Sequence, residues 1–138
     1  VEWMFMPLRR YADFQGRSRR MEYWMFTLGI AIVEIVLFAL FAMLGAFRTS
    51  DGGPSAMFWP MIIIFGIFAL AIVVPGLAVQ VRRFHDQDKS GWFVLLGFIP
   101  YIGGLIVLVF MCLPGTPGPN RFGPDPLGGT GDLAQTFR

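Results

Sequence analysis

The densest polar cluster in the sequence is Arg82-Arg83-Phe84-His85-Asp86-Gln87-Asp88-Lys89-Ser90-Gly91-Trp92. An imidazole beside two carboxylates is raw material for a metal site or for general acid–base chemistry. The spacing matches no strong metal motif, and His85 is the single histidine of the chain. Neither a metal nor a cofactor is therefore predicted. The preferred reading is a salt-bridged connection. In it Arg82 and Arg83 bind phosphate or Asp86, and Trp92 anchors the helix that follows. A second chemical candidate is Glu34, set between Val33 and Ile35 in a long apolar run. A carboxylate at membrane depth is costly, so Glu34 is predicted to face other helices, paired or protonated, and to fix packing. The alternative is a proton or cation site. The lone cysteine, Cys112, closes an apolar run and reads as a small hydrophobe. The chain has no Gly-rich phosphate loop, nucleophile elbow or metal-spaced carboxylate pair.

These polar groups stand out because the rest of the chain is apolar. Of 138 residues, 55% are hydrophobic and 14% charged, with a mean hydropathy of +0.61; a soluble domain carries about 25% charge. That excludes intrinsic disorder, a disulfide scaffold and an ordinary soluble enzyme. The apolar residues fall in three blocks, about 23–47, 57–81 and 92–113. A membrane helix needs about 20 residues to cross a ~30 Å hydrocarbon layer. The lipid gives the backbone no hydrogen-bond partner, so each block must be helical. The predicted fold is an all-α membrane protein: three transmembrane helices in one domain, residues 1–126.

Basic residues set the orientation. Arg9, Arg10, Arg17, Arg19, Arg20, Arg82, Arg83 and Lys89 lie on one side of these spans, and Arg48, Arg121 and Arg138 on the other. The positive-inside rule puts the N-terminus in the cytoplasm and the C-terminal tail outside. The alternative topology rests on Pro100-Tyr101-Ile102-Gly103-Gly104, which could break the third block into a re-entrant hairpin and return the tail to the cytoplasm. The arms of about ten residues are too short to span, so one continuous helix is preferred.

Residues 3–20 mix Trp3, Phe5, Leu8, Tyr11 and Phe14 with arginines. This suits the headgroup zone, with a short interfacial helix over about Pro7–Phe14. Small residues suggest contact faces: Gly66, Ala69 and Gly76 with Trp59, Val73 and Gln80 on the second span, and Gly97, Pro100, Tyr101 and Gly104 in the third. The tail from Pro114 carries five prolines and six glycines, which prevents regular structure. Its motif region is 114–126, and 127–138 is predicted to be disordered. Nucleic-acid binding is not expected, because the basic groups are those the topology already uses.

Three motifs in order carry a resemblance. They are Gly16-Arg17-Ser18-Arg19-Arg20-Met21-Glu22-Tyr23-Trp24, then Arg82-Arg83-Phe84-His85-Asp86 with Ser90-Gly91-Trp92, and Gly118-Pro119-Asn120-Arg121-Phe122-Gly123-Pro124-Asp125-Pro126. The chain resembles the domain of unknown function 805 family over about Trp3–Pro126, with Phe84 where the family often has leucine. The resemblance implies a small multi-pass protein of the bacterial inner (plasma) membrane and carries over no catalytic residue. It draws attention to Arg17, Arg20, Glu22, Trp24, Arg82, Arg83, His85, Asp86 and Trp92 as a charged cytoplasmic collar, in which Glu22 and Asp86 pair with arginines of the other motif. Asn120, Arg121, Gly123 and Asp125 mark the tail motif. The preferred function is non-enzymatic: the collar binds anionic lipid or a partner membrane protein. The alternative is an oligomeric transporter or channel subunit using Glu34, and the weakest is a lipid-headgroup enzyme using His85 and Asp86.

Overall fold

The computed structural model describes residues 2–127. Of the segment expected to be disordered, only Leu127 falls among them. The elements in order are helix α1 (Glu2–Arg9), helix α2 (Arg20–Met43), a two-stranded hairpin of β1 (Thr49–Ser50) and β2 (Gly53–Pro54), helix α3 (Phe58–Asp86), a 3-10 helix (Gly91–Phe98) and helix α4 (Gly103–Cys112).

The two long helices follow directly from the apolar runs. At 1.5 Å per residue, the 24 residues of α2 and the 29 of α3 extend about 36 and 44 Å. Both are long and apolar enough to cross a membrane, and only 11% and 17% of their most apolar stretches are buried within the chain. The core helix of a soluble protein would be mostly covered. The outer faces are instead rows of Ile, Leu, Val and Phe, such as Ile35, Phe38, Ile63, Ile67 and Leu70, a surface suited to lipid.

The helices run antiparallel, and the end between them is closed by a defined turn. Gly45 at φ +83 ends α2, with Ala46 N–H donating to Phe41 O at 2.9 Å and Gly45 N–H to Ala42 O at 3.1 Å, the paired bonds of a Schellman stop. Asp51 and Gly52, both at positive φ, form the two-residue turn between Ser50 and Gly53, which Asp-Gly is suited to make. Phe41, Ala46 and Met61 pack together beneath it, with Phe58 and Phe65 against them.

Three expected elements differ. Helix α1 is Glu2–Arg9 rather than Pro7–Phe14. It packs on α2 where Gly29 leaves room, since a Cβ there would strike the Met4 side chain. The polar stretch after the second span is a loop only over 87–90, because α3 continues as helix through Asp86. It stops in a second paired-bond cap: Lys89 N–H reaches Phe84 O at 2.8 Å and Asp88 N–H reaches His85 O at 3.0 Å, with Asp88 at φ +57.

The third block is not one continuous span of 92–113. It is two short arms, the 3-10 helix and α4, folded back on each other. Pro100 has no N–H and pushes the residue before it out of the helical region; Ile99 sits at φ −68, ψ 122, and Tyr101 takes φ +69. Gly103 then lets the two arms meet, since a Cβ there would overlap the Leu96 carbonyl. Eight residues at about 2.0 Å and ten at 1.5 Å reach only ~16 and ~15 Å, half of a bilayer core. The fold-back returns the tail to the end of the bundle that holds the three motifs. The small-residue stripe on α3 is not a contact face either: Cβ atoms at Gly66 and Gly76 would meet nothing, and Trp59 and Val73 are exposed.

Candidate functional site

The polar end is built where the start of α2, the end of α3, the connection 10–19 and the tail 114–127 converge. Arg17, Arg82, Arg83, Glu22 and Asp86 are all buried there. Neither Arg82 nor Arg83 exposes any surface, so each guanidinium must be satisfied by the protein itself.

Arg82 pairs with Glu22 Oε1 at 2.7 Å. It also donates through Nε to Ser18 Oγ at 2.7 Å and through Nη1 to Asp13 O at 2.5 Å. Arg83 pairs with Asp86 Oδ2 at 2.5 Å, one turn on along α3, and donates to Leu113 O at 2.8 Å and Ser18 O at 3.2 Å. Arg17 takes the other oxygen of the same carboxylate: Nη2 lies 2.9 Å from Asp86 Oδ1, and Nε donates to it at 3.0 Å. Its remaining N–H groups fill carbonyls of the tail, Thr116 O at 2.6 Å and Gly118 O at 2.7 Å. Ser18 N–H donates to Arg82 O at 3.2 Å, and Thr116 N–H to Asp86 O at 2.6 Å. Three buried guanidiniums thus face two carboxylates. Ser18 Oγ and backbone oxygens take most of the other donors, and Arg83 Nε is left without a partner among the described residues.

The tail motif closes over this network. The Phe122 ring stacks on His85 at 4.0 Å with 5° between planes, and Asn120 Nδ2 donates to His85 O at 2.9 Å. His85 Nδ1 lies 2.9 Å from Gly16 O, so the imidazole joins the first motif to the third. Arg121 and Asp88 form an exposed pair at 3.2 Å. Asp125 accepts the amides of Gly118 and Leu127, each at 2.9 Å. The tail motif, expected on the side opposite the collar, therefore shares one end with it.

Four candidates lie outside the buried network. Glu34 does not face a neighbouring helix: it is exposed on α2 and makes no hydrogen bond or ion pair among the described residues. Trp92 is 77% exposed and stands outside the network. Trp24 Nε1 donates to Met111 O at 3.3 Å, and Arg20 Nη1 to Cys112 O at 3.2 Å, so both tie α2 to the end of α4. Both oxygens of Asp86 are held by arginines. Among the described residues no group of three His, Cys, Asp or Glu side chains is placed to hold a metal ion.

Residues missed from sequence include Ser18, Gln87 and Tyr11. Gln87 Nε2 donates to the carbonyl of Phe110. Tyr11 Oη donates to Ala71 O at 2.6 Å. Pro75 lies inside α3 and lacks the N–H that would otherwise fill Ala71 O four residues back. That orphan was legible from Pro75 alone, but its donor was not. Nearby, Asp13 is held below the usual carboxylate range. Burial pushes it up, but the Arg10 hydrogen bond, the Gln15 amide and the charges of Arg10 and Arg82 outweigh that.

The family described as "Protein of unknown function (DUF805)" matches residues 11–124. The chain belongs to the DUF805 family. Inner membrane protein YhaH of Escherichia coli (strain K12) is 46% identical over 126 residues, covering 91% of this chain and 97% of the relative. Inner membrane protein YhaI of the same strain is 41% identical over 126 residues, with 91% and 96% covered. No solved structure matches. The matched DUF805 region takes in the first two motifs whole and the third as far as Pro124.

Proposed function

We propose that this chain is a non-enzymatic inner-membrane protein whose polar end lies at the cytoplasmic face and binds anionic lipid. One observation carries the reading: the buried network consumes Arg17, Arg82 and Arg83, and other basic side chains of the same end stay at its surface. Arg9 and Arg20 are exposed, while Arg19 and Lys89 are partly so. Trp24 and Phe14, also exposed, supply the amphipathic rings favoured at headgroup depth. Each surface cation near an anionic leaflet contributes about 1 kcal/mol. Of the collar arginines, Arg17, Arg82 and Arg83 therefore build the platform, while Arg20 and neighbouring cations meet the membrane. On this reading α2 and α3 span the bilayer, and the 3-10 helix with α4 forms a re-entrant arm from the cytoplasmic side. A partner membrane protein is the other occupant such a surface would suit.

The test is thermal stability of the protein in nanodiscs of zwitterionic lipid against discs containing anionic phosphatidylglycerol. The expected result is a higher Tm with the anionic lipid, reduced by added salt. Equal Tm values in both discs at low salt would refute the reading.

A second reading, an oligomeric transporter subunit, is favoured by Glu34 alone. About 21 Å along α2 from Arg20, its carboxyl faces outward, where another copy would have to cover it. Proton or ion flux in liposomes, lost in Glu34→Gln, would support it. The absence of flux in the unmodified protein would remove it.

A further inference from the structure

We infer that the cleft between the start of α2 and the tail seats one anionic phospholipid, its phosphate on Arg19 and Arg20 and its acyl part along Met21, Trp24 and Met25. This rests on the proposal that the polar end lies at the membrane surface, and it names the site and ligand there. The cleft encloses about 720 Å³ and is lined by these five residues on the α2 side, within the ~300–1,000 Å³ usual for small-molecule sites.

The donors are the first argument. A guanidinium carries five N–H groups in a planar fork matched to phosphate oxygens. At this end Arg17 and Arg82 spend theirs inside the protein, and Arg83 all but its Nε. The Arg19 side chain makes no hydrogen bond or ion pair among the described residues. Its Nε is buried without a partner, and its guanidinium carbon lies 4.6 Å over the Trp3 ring. That contact holds the plane but leaves its donors unfilled. Arg20 commits one nitrogen, to Cys112 O. Arg19 and Arg20 both line the cleft, their spare donors suit a phosphate diester, and the positive end of the α2 dipole lies beside them.

The opposite wall is no competitor for those donors. Asp86 and Asp125 line it. Asp86 is held by Arg17 and Arg83, and Asp125 accepts the amides of Gly118 and Leu127. Their negative charge places an anion on the α2 side. The apolar side chains decide between a lipid and a free phosphate. Met21, half exposed, Trp24 and Met25 continue from the arginines for about 7.5 Å along α2, in the direction of the membrane core. A soluble phosphate has no use for that wall, whereas a glycerol backbone and the first acyl carbons cover it.

Native mass spectrometry of the full chain, released from nanodiscs of phosphatidylcholine doped with phosphatidylglycerol, tests this. The unmodified protein is expected to retain one phosphatidylglycerol. The Arg19→Gln/Arg20→Gln double variant should lose it at least tenfold. Arg48→Glu, an equal charge change at the exposed opposite end of the bundle, should keep it. Met21→Glu adds a carboxylate to the exposed wall without touching the buried network; it should expel the lipid even if the double variant misfolds. Equal loss in the cleft variants and the control would overturn the seat while leaving surface attraction intact. No preference for phosphatidylglycerol in the unmodified protein would overturn both. Stabilisation by millimolar inorganic phosphate in neutral detergent, with no lipid retained, would overturn the lipid in favour of a soluble phosphate.

Discussion

Arg82→Met tests whether the polar end holds the bundle together. Arg82 is completely buried and Glu22 is 3% exposed, with 2.7 Å between their charged atoms. Methionine keeps an unbranched apolar stem but strands Glu22 as a buried carboxylate without its partner, which costs about 3–5 kcal/mol. Two further acceptors, Ser18 Oγ and Asp13 O, lose a donor at about 1 kcal/mol each. Adding Glu22→Gln removes the stranded charge. The double variant should then recover most of the ~3–5 kcal/mol and retain the ~2 kcal/mol of lost hydrogen bonds. The intact pair need not stabilise relative to two apolar residues; what costs is removing one partner alone. The coupling is read from unfolding in mixed micelles titrated with a denaturing detergent, comparing both single variants with the double. Additivity to within about 0.5 kcal/mol would mean that the two groups do not meet, and the reasoning would fail.

Three other outcomes follow from the same geometry. In a Cys112→Ser background, cysteines at Ala12 and Pro119, both exposed, should be labelled by an impermeant maleimide from the same side of sealed vesicles; labelling from opposite sides would restore the single third span. Tyr11→Phe should cost about 1 kcal/mol by orphaning Ala71 O, and the loss should disappear when Pro75→Ala returns the missing N–H, as measured by micellar unfolding. Gly115→Ala should loosen the tail, because the added Cβ would collide with the Asp86 carboxylate; faster amide exchange across 114–126 is the readout, with no change in exchange at Ala46, at the far end of the bundle.

The two long helices were legible because a bilayer imposes a length and a composition that few other settings require. Their ends were less so. The sequence shows Arg82–Asp86 as polar, which suggests a loop, yet those side chains are satisfied by Ser18, Glu22 and Arg17, so the backbone has no need to leave the helix. The third block misled for a related reason. Summed over its length it is apolar enough to span, and only the local chemistry of Pro100 and Gly103 opposes that. The identities of the polar-end residues could be read from the three motifs. Their burial could not, because it depends on long-range partners such as Thr116, Gly118 and Leu113, whose contribution is a backbone oxygen that any residue type would supply.

That last point explains why arginine occupies position 17. Among its described residues a tail rich in glycine and proline forms only the Asn120–Gly123 bridge, so carbonyls such as Thr116 O and Gly118 O must find other donors when covered. Arg17 supplies them: one planar fork reaches Asp86 Oδ1, Thr116 O and Gly118 O, with Gly123 O at 3.4 Å and Asp86 O at 3.3 Å. Lysine would keep the charge and hold Asp86, but three donors on a single nitrogen cannot reach acceptors spread across both ends of a guanidinium. Arg17→Lys should therefore leave α2 and α3 in place and free the tail, at a cost of about 1–3 kcal/mol for the stranded carbonyls. Limited proteolysis reads this as new cleavage between Pro114 and Pro126 with the helical core intact. A tail as resistant as in the unmodified protein would mean that charge alone retains it, and that the carbonyl contacts of Arg17 are incidental.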